Sequence, residues 1–435
     1  MDPTVLSIIG IIVFLFLLFI GMQIGIAMAL VGFVGYWLFT NFGAAFGALK
    51  STPFTTSANF SLSVIPLFVL MGQIAFYSGI SSDLYNACYK WLGRVRGGLG
   101  ISTLAACALF SAICGSATAT VATLGTVCLP EMQKYKYKDS LSCGLISSGG
   151  TMGILIPPSV GFIIYGTIAE QSIGALFAAG IVPGLLLMVL FMITVVIITK
   201  KDPSAGPKGE SFPLREMLIS LKGVIAFIIL FLLVLGGIFG GWFTPSEGGA
   251  IGAFGSLVFM VIRRKATLAN LKAALSDSIK TTAMIFMIMI GAYIFGYFLT
   301  ISRMPMALAR IAVDADVSPY IILIFVLLVY TVLGCFIDAI PLTIILVPIF
   351  LPIILGLGFN PIWFGVIIIL AMQIGLLTPP VGMCCYVMSG VAKDIPLQTI
   401  FRGVLPFIAT IVVAAVFIII FPQIALWLPG LFYAV

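Results

Sequence analysis

The sequence predicts an all-α polytopic membrane protein organised as two inverted halves, each holding a re-entrant helical hairpin and a broken helix. Three observations predict it: an almost uncharged composition, a one-sided distribution of basic residues, and a motif that recurs 222 residues further on. Composition sets the class. Of 435 residues, 62% are hydrophobic and only 8% charged, against about 25% charged in a soluble domain. Such a chain cannot cover a water-facing surface. At roughly 20 apolar residues per crossing, it has room for about a dozen membrane elements. Histidine is absent, which removes His-metal sites, Ser-His and Cys-His catalysis, and a histidine proton relay. An intramembrane hydrolase would need a nucleophile with a base, or paired Asp. Asp338 stands as a single mid-membrane acid, so no enzyme is expected.

The apolar runs place spans near residues 5–20, 23–39, 60–80, 174–199, 223–241, 247–262, 281–300 and 400–420. Residues 101–128 and 319–356 are long and apolar but broken by Gly, Pro, Ser, Thr or Asp, which suits re-entrant hairpins. Residues 141–169 and 360–392 are each interrupted by a proline pair, Pro157-Pro158 and Pro379-Pro380. Residues 200–222 read as the middle linker and 266–280 as an amphipathic surface helix. Asp2 and the lack of a basic n-region argue against a cleavable signal. The eight Cys are scattered, without a CxxC, and read as small buried apolar residues.

Charge then orients the spans. The net charge is +7. With an outside N-terminus, a first hairpin opening inside and a second opening outside, 18 of the 21 Lys and Arg fall in inside loops. Only Lys50, Arg303 and Arg310 fall outside. This is the positive-inside pattern. It would degrade if both hairpins crossed fully, so the charges support re-entrance. There is no basic stripe with interleaved aromatics, so no nucleic acid is expected as a partner; the surroundings are membrane lipid.

The two halves match each other. A shift of 222 residues places Pro130 on Pro352, Gly153 on Gly375, both prolines of one pair on the other, and Ser116 on Asp338. Paired interrupted segments in inverted halves point to a transporter binding site. The chemistry agrees. Proline lacks an N–H, so carbonyls one turn earlier lose their partners. Gly153 and Gly375 allow local unwinding. Freed carbonyls with nearby hydroxyls, such as Thr378, are hard oxygen ligands suited to an alkali cation; a plain proline kink is the competing reading. The first hairpin carries SAICGSATATVATLGT from Ser111. Most of its hydroxyls serve packing. Cys114-Gly115-Ser116 suits a tip whose second half-helix aims N–H groups at the midplane, where a carboxylate would be stabilised. In GCFIDAIP, from Gly334, Asp338 either caps the following half-helix or takes part in the site; a buried Asp costs about 2.5–3.5 kcal/mol even on the lenient insertion scale. Glu247, beside Pro245, reads as a capping residue. Glu170 reads as solvated.

These residues resemble a known family over essentially the whole chain. IPLFVLMGQIAFYSGIS from Ile65, CGSATATVATLGT from Cys114, LPEM from Leu129, GGTMGILIPPS from Gly149, TPSEGGAIGA from Thr244 and GLLTPPVG from Gly375 are similar to the large membrane subunit of tripartite ATP-independent periplasmic (TRAP) transporters. The resemblance implies an elevator-type, inverted-repeat importer of organic anions, typically carboxylates, in the bacterial inner membrane, driven by a sodium gradient. It implies a separate small four-helix membrane subunit and a periplasmic binding protein that delivers substrate. It implies Na+ as coupling ion and no organic cofactor. Matched by motif, the sodium residues fall on Ser111, Cys114, Gly153, Ile156 and Pro158 in one half, and on Gly334, Gly375, Thr378 and Val381 in the other. Ser116, Thr118, Thr151 and Asp338 are the expected substrate surroundings. Cys114 stands where relatives often carry Ser, and Cys384 where many carry Asn. The expected division is scaffold helices at 1–58, a transport-domain half at 59–173, scaffold and linker at 174–280, a second transport-domain half at 281–399, and a scaffold helix at 400–435. A stand-alone ion-coupled carboxylate carrier is the alternative. A channel would differ from both by unsaturated, uncoupled flux.

Overall fold

The computed structural model describes residues 3–314 and 317–433, and its regular elements are helices. In chain order they begin with α1 (Pro3–Phe19), α2 (Ile24–Phe39), α3 (Phe42–Ser57), α4 (Val64–Tyr77) and α5 (Ile80–Leu92). The first hairpin is α6 (Gly98–Cys114) and α7 (Ala117–Lys134). The first broken helix is α8 (Asp139–Thr151), a 3-10 turn at Met152–Ile154, and α9 (Val160–Ile168). Then come α10 (Ile173–Lys201), α11 (Leu214–Phe239), α12 (Pro245–Ile262), α13 (Leu268–Ile301) and α14 (Met304–Asp314). The second hairpin is α15 (Pro319–Gly334) and α16 (Ala339–Gly356); the second broken helix is α17 (Pro361–Leu377) and α18 (Met383–Val391). The described chain closes with α19 (Leu397–Ile420) and α20 (Gln423–Phe432). Six helices among the described residues, α4 with its preceding turn, α10, α12, α13, α16 and α19, are long and apolar enough to cross a membrane.

Local chemistry sets the ends. Ser172, Thr244, Thr267 and Asn360 each accept backbone N–H groups at the start of the helix that follows, a contribution of about 1 kcal/mol per cap. Thr244 and Glu247 form a full capping box in front of α12, as the capping reading of Glu247 requires. Glu170 is exposed, also as expected.

Two expectations need correction, and two helices lie outside the spans read from the sequence. Residues 266–280 are not a separate surface helix: α13 runs unbroken for 34 residues, because no Gly or Pro interrupts 268–290 and Thr267 caps its start. The linker is shorter than 200–222, since Pro213 hands over to α11 at Leu214. Residues 42–57 form α3 despite Pro53, started by the Asn41 side chain accepting from Ala44 N at 2.9 Å. Residues 423–432 form a further helix, α20, with Phe432 stacked on Phe239.

The offset of 222 reappears in the helix boundaries. Ala117, which starts α7, corresponds to Ala339, which starts α16; Asp139, which starts α8, corresponds to Pro361, which starts α17. Both proline pairs are cis. The basic loops meet at one end of the molecule. Arg263 pairs with Asp83, Lys138 with Asp202, and Lys90 with Glu216 at 3.4 Å; Tyr77 donates to Asp277 at 2.7 Å. The segment joining α10 to α11 lies across the base of the first hairpin at this end. Gly97 N donates to Gly206 O at 3.2 Å, Lys138 N to Ala205 O at 3.1 Å, and Tyr137 OH to Pro207 O at 3.0 Å. Tyr135 OH donates to Glu210 at 2.9 Å. The base of the second hairpin, at residues 317–319 and 357–360, has no comparable polar strap among the described residues; there Tyr320 packs edge-on against Phe359.

Candidate functional site

The first hairpin turns in two residues. Gly115 ends α6 with φ 63°, and Ser116 starts α7 with its hydroxyl accepting from Ala119 N at 3.5 Å. A side chain at Gly115 would need a left-handed backbone that L-residues rarely adopt. Its Cβ would also lie 2.8 Å from Pro158 O. Facing it, the chain of 151–160 is wholly buried. A Cβ on Gly153 would lie 2.6 Å from Ser116 O, so tip and break are in backbone contact. Val160 N donates to Gly115 O at 3.4 Å across this contact. Ser159 caps α9 and sends its own hydroxyl to Ile154 O at 2.6 Å.

Helices close over this first assembly because small residues let them. A Cβ on Gly72 of α4 would meet Ile113 O at 3.1 Å, one on Gly180 of α10 would meet Leu155 O at 2.5 Å, and one on Gly184 would meet Ile156 at 2.6 Å. Ser111 is fully buried, and its hydroxyl has no hydrogen-bond partner among the described residues. A buried hydroxyl left so is a place where a bound ion or water would recover its desolvation cost. Cys114 is half-buried and unpaired, and the other seven cysteines are buried and unpaired.

The second hairpin turns in four residues, 335–338. Asp338 caps α16, its Oδ1 accepting from Ala339 N at 2.8 Å, while its carbonyl accepts from Leu342 N at 3.1 Å. The capping reading of Asp338 is therefore the one met by visible bonds. A Cβ on Gly375 would lie 2.7 Å from Gly334 Cα, the same close approach of tip to break. Gly382 N donates to Cys335 O at 3.2 Å. Gly382 lies 222 residues after Val160, so the equivalent amide ties break to tip in both assemblies. Thr378 gives its hydroxyl to Ile374 O at 2.7 Å. Pro379 and Pro380 are exposed, and Val381 is half-buried.

Of the sequence-derived residues, Ser111, Cys114, Gly153, Ile156 and Pro158 gather at the first tip and break, and Gly334, Gly375, Thr378 and Val381 at the second. Ser116 and Thr118 sit together at the start of α7, with hydroxyls 3.3 Å apart. Thr151 is different. Its hydroxyl turns back to Ser148 O at 2.7 Å and the residue is fully buried, so it contributes a backbone carbonyl rather than a free hydroxyl. That carbonyl receives Gln373 Nε2 at 3.0 Å. Gln373 was not singled out from the sequence. The signal was present: it is the only amide side chain in PIWFGVIIILAMQIGLL, and a polar group inside an apolar span asks for a partner. Its Oε1 is buried without a partner among the described residues. Backbone carbonyls at each break, with the Ser111 hydroxyl at the first, are donors that suit a hard monovalent cation better than a soft metal.

Comparison with known proteins agrees with this architecture. Residues 11–424 match the family profile described as "Tripartite ATP-independent periplasmic transporter, DctM component". The chain is 35% identical over 379 residues to the C4-dicarboxylate TRAP transporter large permease protein DctM of Pseudomonas aeruginosa, covering 87% of this chain and 88% of that one. It is also 35% identical over 418 residues to the sialic acid TRAP transporter large permease protein SiaM of Vibrio cholerae, covering 96% of each. The solved YdaH transporter of Alcanivorax borkumensis shares the fold at a TM-score of 0.66 and 14% identity, over 90% of this chain and 89% of that chain. Matched along nearly its full length, the chain belongs to the DctM-component family, the large permeases of TRAP transporters, and it is not an enzyme.

Proposed function

We propose that this permease imports an organic anion, a carboxylate, across the bacterial inner membrane, coupled to sodium and fed by a periplasmic binding protein. A small four-helix membrane subunit completes the complex. The observation that carries the reading is the doubled contact between hairpin tip and helix break, made through the equivalent amides of Val160 and Gly382. Sodium at the carbonyls of each break, with Ser111 Oγ in the first, would order both tips and offset the charge of an anion at the midplane. The N-terminus of α7, beginning at Ser116 and Thr118, offers free N–H groups to a carboxylate. The basic loops, which meet at one end, support a cytoplasmic reading of that end and a periplasmic N-terminus. Opposite orientation of the two halves follows from this sidedness. The contact between Gln373 and Thr151, two positions related by the repeat offset, is what a pseudo-two-fold axis between the hairpins produces. The hairpins and broken helices then form a mobile transport domain. α2, α10, α11, α12 and α19 form much of the scaffold past which it slides.

The test is uptake of candidate carboxylates into proteoliposomes holding the chain and its small subunit, with and without a sodium gradient and the cognate binding protein. Uptake that needs both supports the reading. Sodium-driven uptake without a binding protein moves the chain to the stand-alone carriers. Uptake indifferent to sodium removes the ion role of the paired breaks.

A further inference from the structure

A cleft of about 570 Å³ opens between α1, α13 and α14 on one side and the second hairpin on the other. Phe14, Phe295, Leu308, Val326, Leu333 and Phe350 are among its walls, and no polar side chain among the described residues lines it. Water would find no hydrogen-bond partner there, whereas hydrocarbon would. The cleft is also long. It touches α15 from Ile322 to Leu333, roughly 16 Å of helix axis. One leaflet of the hydrocarbon core is about half of 30 Å deep. The groove is therefore as long as a single leaflet.

The α14 side of this groove carries charge. Arg303 immediately precedes Met304, and Arg310 immediately precedes Ile311, both wall residues on α14. Both arginines are exposed, and neither has an acidic partner among the described residues. Asp314 lies one turn beyond Arg310 without pairing with it. With Lys50, these are the basic residues that lie apart from the five basic loops. Two exposed guanidiniums flanking an apolar groove of leaflet length match the two chemistries of a phospholipid, since Arg binds phosphate through paired N–H donors.

We propose that this cleft is a site for an anionic phospholipid. Arg303 and Arg310 hold the headgroup phosphate, and one acyl chain lies between the second hairpin and the α1–α13 wall. The assignment of this side to the outer leaflet rests on the charge sidedness; the site itself does not.

The experiment is native mass spectrometry of the purified full chain with its small subunit, titrated with phosphatidylglycerol or phosphatidylcholine. A phosphatidylglycerol bearing a photoreactive diazirine on its acyl chain maps the position. The expected result is phosphatidylglycerol retained at least tenfold more strongly than phosphatidylcholine, as two basic residues at a membrane surface allow. Adducts should fall on α15 and α1, and the preference should be lost in the Arg303→Gln, Arg310→Gln double variant. A second variant, Val329→Trp, fills the groove with both arginines kept and should abolish the α15 adducts. Equal retention of the two lipids, a preference unchanged by the double variant, or a segment of the small subunit crosslinked to these residues would each overturn the proposal. Because binding is read without transport, its failure leaves the proposed import function standing, and the reverse holds too.

Discussion

The two tip-and-break assemblies use the same backbone device in different surroundings. In the first, every residue from 151 to 160 is buried, three glycines of α4 and α10 bring helices onto the contact, and the tip turns in two residues. In the second, the tip takes four residues, Pro379 and Pro380 are exposed, and Phe336 is 42% exposed. Burial removes water as a competitor for the freed carbonyls and strengthens their field. Exposure lets the second assembly rearrange at lower cost. The lesson is that similar breaks become fixed or adjustable according to what packs over them.

The largest effect should come from breaking the first contact. Gly153→Val puts side-chain atoms where Ser116 O already stands, 2.6 Å from the Cβ position. Sodium-dependent uptake should fall by about 100-fold, the upper range for disturbing a metal's surroundings, with insertion and detergent monodispersity kept. Gly375→Val meets Gly334 at 2.7 Å and should act similarly, but less severely if the exposed second assembly can shift. Normal uptake in both variants would remove these breaks from the mechanism.

Next is the bridge between the assemblies. Gln373→Leu leaves Thr151 O without its donor, and an unmade buried bond costs about 1–3 kcal/mol. The thermal midpoint in detergent should drop by several degrees, and a dimension of the fold rather than of either site would be at fault. No change would mean the bridge is incidental. Single hydroxyls come third. Ser111→Ala removes an oxygen that has no other bond and should raise the sodium concentration for half-maximal uptake by about tenfold. Thr378→Ala removes one already spent on Ile374 O and should shift it less. The reverse order would invert the comparison.

The smallest effect concerns the strap at the base of the first hairpin. Hydrogen bonds from Lys138 and then Ser204 lower the Asp202 pKa from its ordinary value to about 2. A depressed carboxylate pKa stabilises the fold above the unfolded value, and that contribution is lost as pH falls toward the folded one. The stability difference between wild type and Asp202→Asn should therefore be small, as exposed pairs are. It should be flat from pH 7 to about 5 and vanish near about pH 2. A difference that grew on acidification would contradict the assignment.

What could be read in the sequence was whatever carries its cause locally. Pro157-Pro158, Pro379-Pro380, Gly115 and Asp338 mark breaks and caps through their own backbone chemistry, and those positions stand where the spacing put them. The basic loops were legible for a similar reason, since charge cannot hide in an apolar chain. Other features depend on partners far along the chain. α3 holds Pro53 and several hydroxyl residues, and its helicity rests on packing against α2 and α13. The meeting of Gln373 with Thr151 and the burial that separates the two assemblies exist only once the helices are assembled. Thr151 illustrates the limit: its hydroxyl looked available in the sequence, and its own helix had already taken it.

The segment across the base of the first hairpin has a consequence for amide exchange. Its bonds join residues near 97, 137–138 and 205–207, which are distant in sequence but open only together. They should exchange deuterium as one cooperative unit, with a common rate and a common response to denaturant. The base of the second hairpin, held by ring packing instead, should exchange faster and independently. The molecule would then open the base of one hairpin far more often than that of the other, a difference in tempo between two hairpins of similar build.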